Sequence, residues 1–248
     1  MSSATNNILL TGYWPPSNHM LRQFSDSPVL NPRGWRGHNW RGLGFDLYAY
    51  FPEFAPSEIQ SSAGDPGQTE RRGTPGPGSG NFRVDYQDTL RDFQRFTLRH
   101  RPCAIVTFSR GAPSPGWEIE TGARNRDTWV PDFEAPYLPT PNPPDSSLAP
   151  NAFRPSTLPM EAIEAAVTNA GLGLPVWIDH SGEVGAFLSE YIAYLGIWYQ
   201  ERHSRPGDKW RCVAAGHIHV GSLTHPEMAV KAVEFTLEEV IRTVRQRL

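Results

Sequence analysis

Short apolar runs alternate with longer stretches whose apolar residues recur every three or four positions. Five runs predict strands, at 8–13, 45–51, 103–108, 174–178 and 212–218. They are rich in β-branched and aromatic residues. Most are apolar on both faces, as in a sheet covered by helices on both sides. Helical periodicity falls between and after them. Over 84–100, Tyr86, Leu90, Phe93 and Thr97 share one face, and Pro102 ends the pattern. Residues 160–170 are Ala- and Glu-rich, and Gly171 reads as a C-terminal cap. Residues 185–203 carry Phe187, Leu188, Tyr191, Ile192, Leu195 and Trp198. The last helix is predicted from Thr224 to the chain end, because Thr224 and Glu227 have the spacing of a capping box. Alternating strands and helices predict an α/β fold, a single three-layer α/β/α sandwich around a mixed, mostly parallel sheet.

Composition refines this picture at two places. The chain of 248 residues holds 22 Gly and 24 Pro, more than an average domain. Residues 55–81 have little that could be buried and read as a Gly/Pro-rich surface insertion. Residues 131–159 hold nine of the 24 prolines and read as a stiff surface loop. Neither reads as a linker, so 1–248 is expected to be one domain. Net charge is −3 and the pI is near 6.2, which leaves no basic field for nucleic acid. No apolar run is long enough to span a membrane. Two cysteines, Cys103 and Cys212, suit a reducing compartment and cannot form a disulfide scaffold. The start of the chain lacks a signal-peptide pattern, so a cytoplasmic enzyme is the expectation.

Candidate chemistry sits where strands end or helices begin, the usual place for ligands in open α/β sheets. Ser189 falls in the first turn of a predicted helix that follows a strand and a small-residue turn. Backbone N–H groups there could hold an oxyanion; a local cap is the plainer role. His217 and His219 share one face at the end of the last strand. Either could bond backbone, act as a base, or ligate a metal with His180, Asp179 or His225 as a third ligand. Glu118 and Glu120 alternate with Trp117 and Ile119, as on a half-exposed strand. Solvated carboxylates are the plain expectation there. Ser189, His219 and Glu120 together make the inventory of a hydrolytic triad.

Five motifs in order resemble the pyroglutamyl peptidase I (pyrrolidone carboxyl peptidase) family. Leu9-Leu-Thr-Gly-Tyr-Trp-Pro15 is similar to the family's opening strand and loop, and Asn31-Pro32 to its Asn-Pro. Ser156-Thr-Leu-Pro159 is close to its Ser-Thr-Leu-Pro. Gly182-Glu-Val-Gly-Ala-Phe-Leu-Ser-Glu190 resembles its nucleophile segment, and Ala215-Gly-His-Ile-His-Val220 its Gly-Phe-Ile-His-Val. Residues 102–125 align without gaps onto the family's Glu-containing segment. The resemblance implies a triad with His219 as base and Glu120 as acid, with Ser189 where the family has its nucleophilic Cys. It further implies an acyl pocket from Tyr13, Trp14, Pro16, Arg110, Gly111 and Asn125, no cofactor, a small-molecule or short-peptide substrate, and a homo-dimer or homo-tetramer. Pro16, Arg110 and Glu190 depart from the family pattern. Arg110 beside an acyl pocket points to a lactam or N-acyl amide with an anionic group, unless it faces solvent or pairs with Glu118 or Glu183. Three readings stay open: a serine hydrolase forming an acyl-enzyme on Ser189, an inactive or Cys-to-Ser engineered relative that binds a small ligand, and a metal-dependent hydrolase using His217 and His219.

Overall fold

In a computed structural model, residues 5–54, 76–208 and 210–248 are described. Most of the predicted insertion, 55–75, lies outside them. The elements run β1 (Asn7–Tyr13), α1 (Ser17–Leu21), β2 (Asp46–Tyr50), β3 (Pro52–Glu53), β4 (Ser79–Gly80), α2 (Tyr86–His100) and β5 (Ala104–Arg110). There follow β6 (Trp117–Glu120), β7 (Gly122–Arg124), β8 (Phe153–Pro155), α3 (Met160–Asn169), β9 (Val176–Asp179), α4 (Leu188–Arg202), β10 (Ala214–Val220) and α5 (Pro226–Arg247).

Six strands form one sheet in the order β2-β1-β5-β10-β6-β9. Pairing is parallel except between β10 and β6, so β6 and β9 run against the other four. The sheet is mixed and mostly parallel, as the alternation implied. One face packs Ile8, Leu10, Ala104, Val106 and Ile218 against α1, α3 and α5. The other packs Leu9, Ile105 and Ala215 against α2 and α4. Three layers result. Two small ribbons, β3–β4 and β7–β8, lie outside the main sheet.

Backbone chemistry moves several predicted boundaries. The run at 174–178 becomes β9 from Val176, because Pro175 has no N–H; its carbonyl instead accepts from Trp117 N at 2.9 Å. The run at 212–218 becomes β10 from Ala214 to Val220. Cys212 N bonds His203 O, and Val213 N bonds Cys103 O, so both stand outside the regular ladder. The Thr224–Glu227 capping box does not form. His225 is the N-cap, with Nδ1 accepting from Glu227 N, and Pro226 opens α5. Thr224 Oγ1 is taken by Gly116 N at 3.0 Å. The helix predicted from 185 begins at Leu188. Within 131–159, the stretch is tied inward by a buried ion pair, Arg154 Nη2 to Asp145 Oδ2 at 2.5 Å. Arg154 Nε also donates to Tyr194 Oη at 2.8 Å.

Candidate active site

Polarity along the sheet changes toward one edge. On the face under α4, Ile105 of β5 is followed at every second position by Thr107 and Ser109. Ala215 of β10 is followed by His217 and His219. The apolar layer thus turns into a line of hydrogen-bonding groups near the carboxyl ends of the parallel strands. The antiparallel register sets His219 opposite Glu118, and the β6–β9 register sets Glu120 opposite Asp179. Glu118, Glu120 and Asp179 therefore share a face with the histidines.

His219 Nδ1 lies 2.6 Å from Glu120 Oε1 and 3.9 Å from Glu118 Oε2. Glu120 is 1% exposed, so the expectation of a solvated carboxylate fails for it. Burial first, then the charges of Glu118 and Asp179, push its carboxyl up to about 9. Its Oε2 is buried without a donor, and Asp179 interacts with the same carboxyl. The Asp179 carboxyl is held below its usual range, chiefly by hydrogen bonds from Ser181 that outweigh its partial burial. A proton on Glu120 aimed at Asp179 leaves Oε1 to accept from the His219 Nδ1–H. Nε2 then carries the lone pair, the tautomer a general base needs. Burial holds His219 below its usual value, while Glu118, Asp179 and Glu190 pull the other way. The imidazole thus rests neutral, in a field that favours its charged form.

His217 plays a different part. It is fully buried, Nδ1 bonding Thr107 Oγ1 at 2.8 Å and Nε2 bonding Ser109 Oγ at 2.9 Å. Both ring nitrogens are engaged, so His217 and His219 are not a ligand pair for a metal. A different donor set exists: Glu118, Glu120 and His219 each bring a ligand atom within 4.8 Å of the others. Thr107 and Ser109 were not anticipated from the sequence. Their signal is a polar i, i+2 pair inside an otherwise apolar run.

Ser189 is the second residue of α4, after the N-cap Phe187, which supplies no side-chain cap. The first N–H groups of a helix have no partner within it, and such groups can hold an oxyanion. Ser189 is half-buried, and its Oγ donates to Val184 O at 3.3 Å. Among the described residues no hydrogen bond joins it to His219. Glu190, next along, is fully buried; it accepts from Arg124 N at 3.0 Å and is paired with Arg126 Nε. Burial raises its carboxyl to about 7 against the pull of these donors.

The other expected pocket residues scatter. Trp14 sits at φ 60° and stacks on Phe54 at 6.4 Å and on Phe187 at 6.0 Å, with Phe133 edge-on at 6.4 Å. The Arg110 guanidinium lies 5.4 Å from the Trp14 ring centre. Glu183 is held by Arg124 at 3.0 Å and by Arg126 at 2.5 Å, and Glu118 accepts from Trp177 Nε1 at 3.2 Å. Gly111 backs His219: a Cβ there would lie 3.1 Å from the His219 Cβ. Tyr13 is fully buried, and its hydroxyl bonds Thr89 under α2. Pro16 is buried, and its carbonyl accepts from Met20 N at 3.1 Å. Asn125 exchanges bonds with the Asp145 backbone at 2.7 and 3.0 Å, closing its own loop.

No protein-family model matches the chain, and no curated protein matches it. Solved structures do. A pyrrolidone carboxyl peptidase from Thermococcus litoralis superposes with a TM-score of 0.64 at 15% identity, covering 97% of this chain and 95% of that one. Pyrrolidone carboxyl peptidase from the hyperthermophile Pyrococcus furiosus gives 0.62 at 16% identity, covering 96% and 99%. Over nearly its whole length, this chain has the fold of the pyrrolidone carboxyl peptidases.

Proposed function

We propose that the protein is an amide hydrolase that forms an acyl-enzyme on Ser189. The observation that carries this reading is the buried His219–Glu120 contact of 2.6 Å between adjacent strands β10 and β6. His219 Nε2 takes the Ser189 proton as Oγ attacks the substrate carbonyl. The N–H groups at the start of α4 hold the oxyanion. The C–N bond then breaks, the amine leaves with the proton from His219, and an ester remains on Ser189. Water, deprotonated by the same histidine, releases the acid. Glu120 orients the imidazole, and its acidic neighbours stabilise the imidazolium.

The proposed substrate is a pyroglutamyl or related lactam or N-acyl amide. The stacked Trp14 and Phe187 rings would wall its acyl part with apolar surface. Arg110, lying against Trp14, favours an acyl group that carries an anion. The bond from Ser189 to Val184 O favours a second reading, a ligand-binding protein without turnover. Attack requires the hydroxyl to leave that carbonyl and meet His219.

Turnover of pyroglutamyl-aminomethylcoumarin and of N-acyl analogues separates the two. Hydrolysis that is lost in both Ser189→Ala and His219→Ala supports the hydrolase. Binding without acylation by any activated ester or amide overturns it.

A further inference from the structure

A groove lies beside α1 and the loop that follows β1. Two adjoining cavities, of about 220 and 310 Å³, share His19, Arg22 and Leu30 as a common wall. The smaller reaches Pro15 and Phe54, the outer neighbours of Trp14. The larger is lined by Arg22, Arg33 and Arg36 and, among the described residues, by no carboxylate. Among the described residues the one acid on either wall is Glu53, in the smaller cavity.

These arginines differ from those of the chain's ion-paired set. Arg41, Arg83, Arg124, Arg126 and Arg154 each meet a carboxylate. Arg33 and Arg36 make neither ion pair nor hydrogen bond among the described residues, and Arg22 donates only through Nε, to Leu30 O at 3.3 Å. Three arginines line one groove in a chain of net charge −3, and two of them have no polar partner among the described residues.

The groove is also built rather than loose. Asn31 Nδ2 donates to Arg22 O at 2.8 Å and to Ser25 O at 2.6 Å. Trp35 Nε1 donates to Phe24 O at 3.1 Å and Leu47 O at 3.0 Å. Gly34, at φ +100°, turns the chain between Arg33 and Arg36, and its N–H bonds Asn31 O at 2.9 Å. The loop backbone is therefore fixed before any ligand arrives, which lowers the ordering cost of binding.

We propose that this groove is a binding site for a small dianion, a phosphomonoester or a dicarboxylate, gripped by the forked donors of Arg22, Arg33 and Arg36. The site is separate from Ser189 and does not depend on the hydrolase reading.

Calorimetric titration of the full chain with inorganic phosphate and with succinate, at constant ionic strength in chloride, tests it. Saturable binding of one or both is expected. It weakens at least tenfold in Arg33→Ala/Arg36→Ala and is unchanged in Ser189→Ala. Both arginines are exposed, so the double variant is expected to keep the wild-type melting temperature. The tighter of the two anions identifies the ligand class. Absence of saturable binding for both anions, or equal binding by the double variant, overturns the proposal.

Discussion

Glu118→Gln is the sharpest probe of the site electrostatics. Glu118 Oε2 is 3.9 Å from His219 Nδ1, and its charge raises both the Glu120 and the His219 titration. Gln keeps the acceptor for Trp177 Nε1 and removes only the charge. At an effective dielectric of about 20, a unit charge at that distance is worth roughly 4 kcal/mol to an imidazolium. The Glu118 side chain is 26% exposed, so water screens much of this. About 1.4 kcal/mol surviving equals one pKa unit, or a factor of about ten. The sign is the same for either titrating group: loss of a neighbouring negative charge favours the anion of Glu120 and disfavours the cation of His219, so both pKa values fall. The acid limb of kcat/KM should move about one unit toward lower pH. The plateau should drop by up to about tenfold, because the transition-state imidazolium loses the same support. The pH profile on an activated substrate measures both. An acid limb that stays in place or moves upward refutes the charge coupling.

Three further outcomes follow from the packing and the donor set. Gly216→Ala drives a Cβ into the Ser156 Oγ and to 2.7 Å from Leu158, within β10, and should cost about 1–3 kcal/mol in chemical denaturation. Arg154→Met leaves the buried Asp145 without its guanidinium and should cost roughly 3 kcal/mol, lowering Tm by about 6–12 °C. Asp145 is held below its usual value, so the stability it contributes is present above pH of about 4 and fades as pH falls through its folded value; the deficit should shrink in acid, and a pH-independent deficit would count against the pair. Zinc should inhibit, because Glu118, Glu120 and His219 can close on a cation and occupy the base; activation by zinc would instead revive the metal-hydrolase reading.

The layer architecture was legible because its signals are local. Apolar runs such as 103–108 and the period of α2 are fixed by burial on known faces. Boundaries moved where a single backbone group decided them, as Pro175 did for β9 and His225 for α5. The site was legible only in part. Spacing places His219 on a strand end, but the burial of Glu120 depends on β6 lying between β10 and β9, inside the sheet, and nothing local to residues 116–125 encodes that order. The same holds for Asp179, which meets Glu120 only through the register of two strands nearly sixty residues apart. Asn125 shows the converse. Its position in a motif suggested a pocket residue, while its actual partners, the Asp145 backbone groups, lie in a loop with no periodic signal.

The surroundings of residue 189 bear on why serine stands there. A cysteine–histidine pair works from a resting thiolate, which needs a positive neighbourhood. Here the next residue is the fully buried Glu190, and Glu118 and Asp179 act on the base. That field disfavours a resting thiolate. It suits the proposed hydroxyl nucleophile, which would stay neutral until attack, when the imidazolium formed would be met by carboxylates. Ser189→Cys should therefore give a sluggish thiol near neutral pH, despite its helix-start position. Neutralising the adjacent acid in Ser189→Cys/Glu190→Gln should lower the thiol pKa by about one unit and raise alkylation by iodoacetamide at pH 7 up to tenfold. Gln retains an acceptor for Arg124 N, and circular dichroism checks that the start of α4 survives. Equal alkylation rates in the single and double variants would show that the acidic field does not reach residue 189, and the electrostatic case for serine would fall with it.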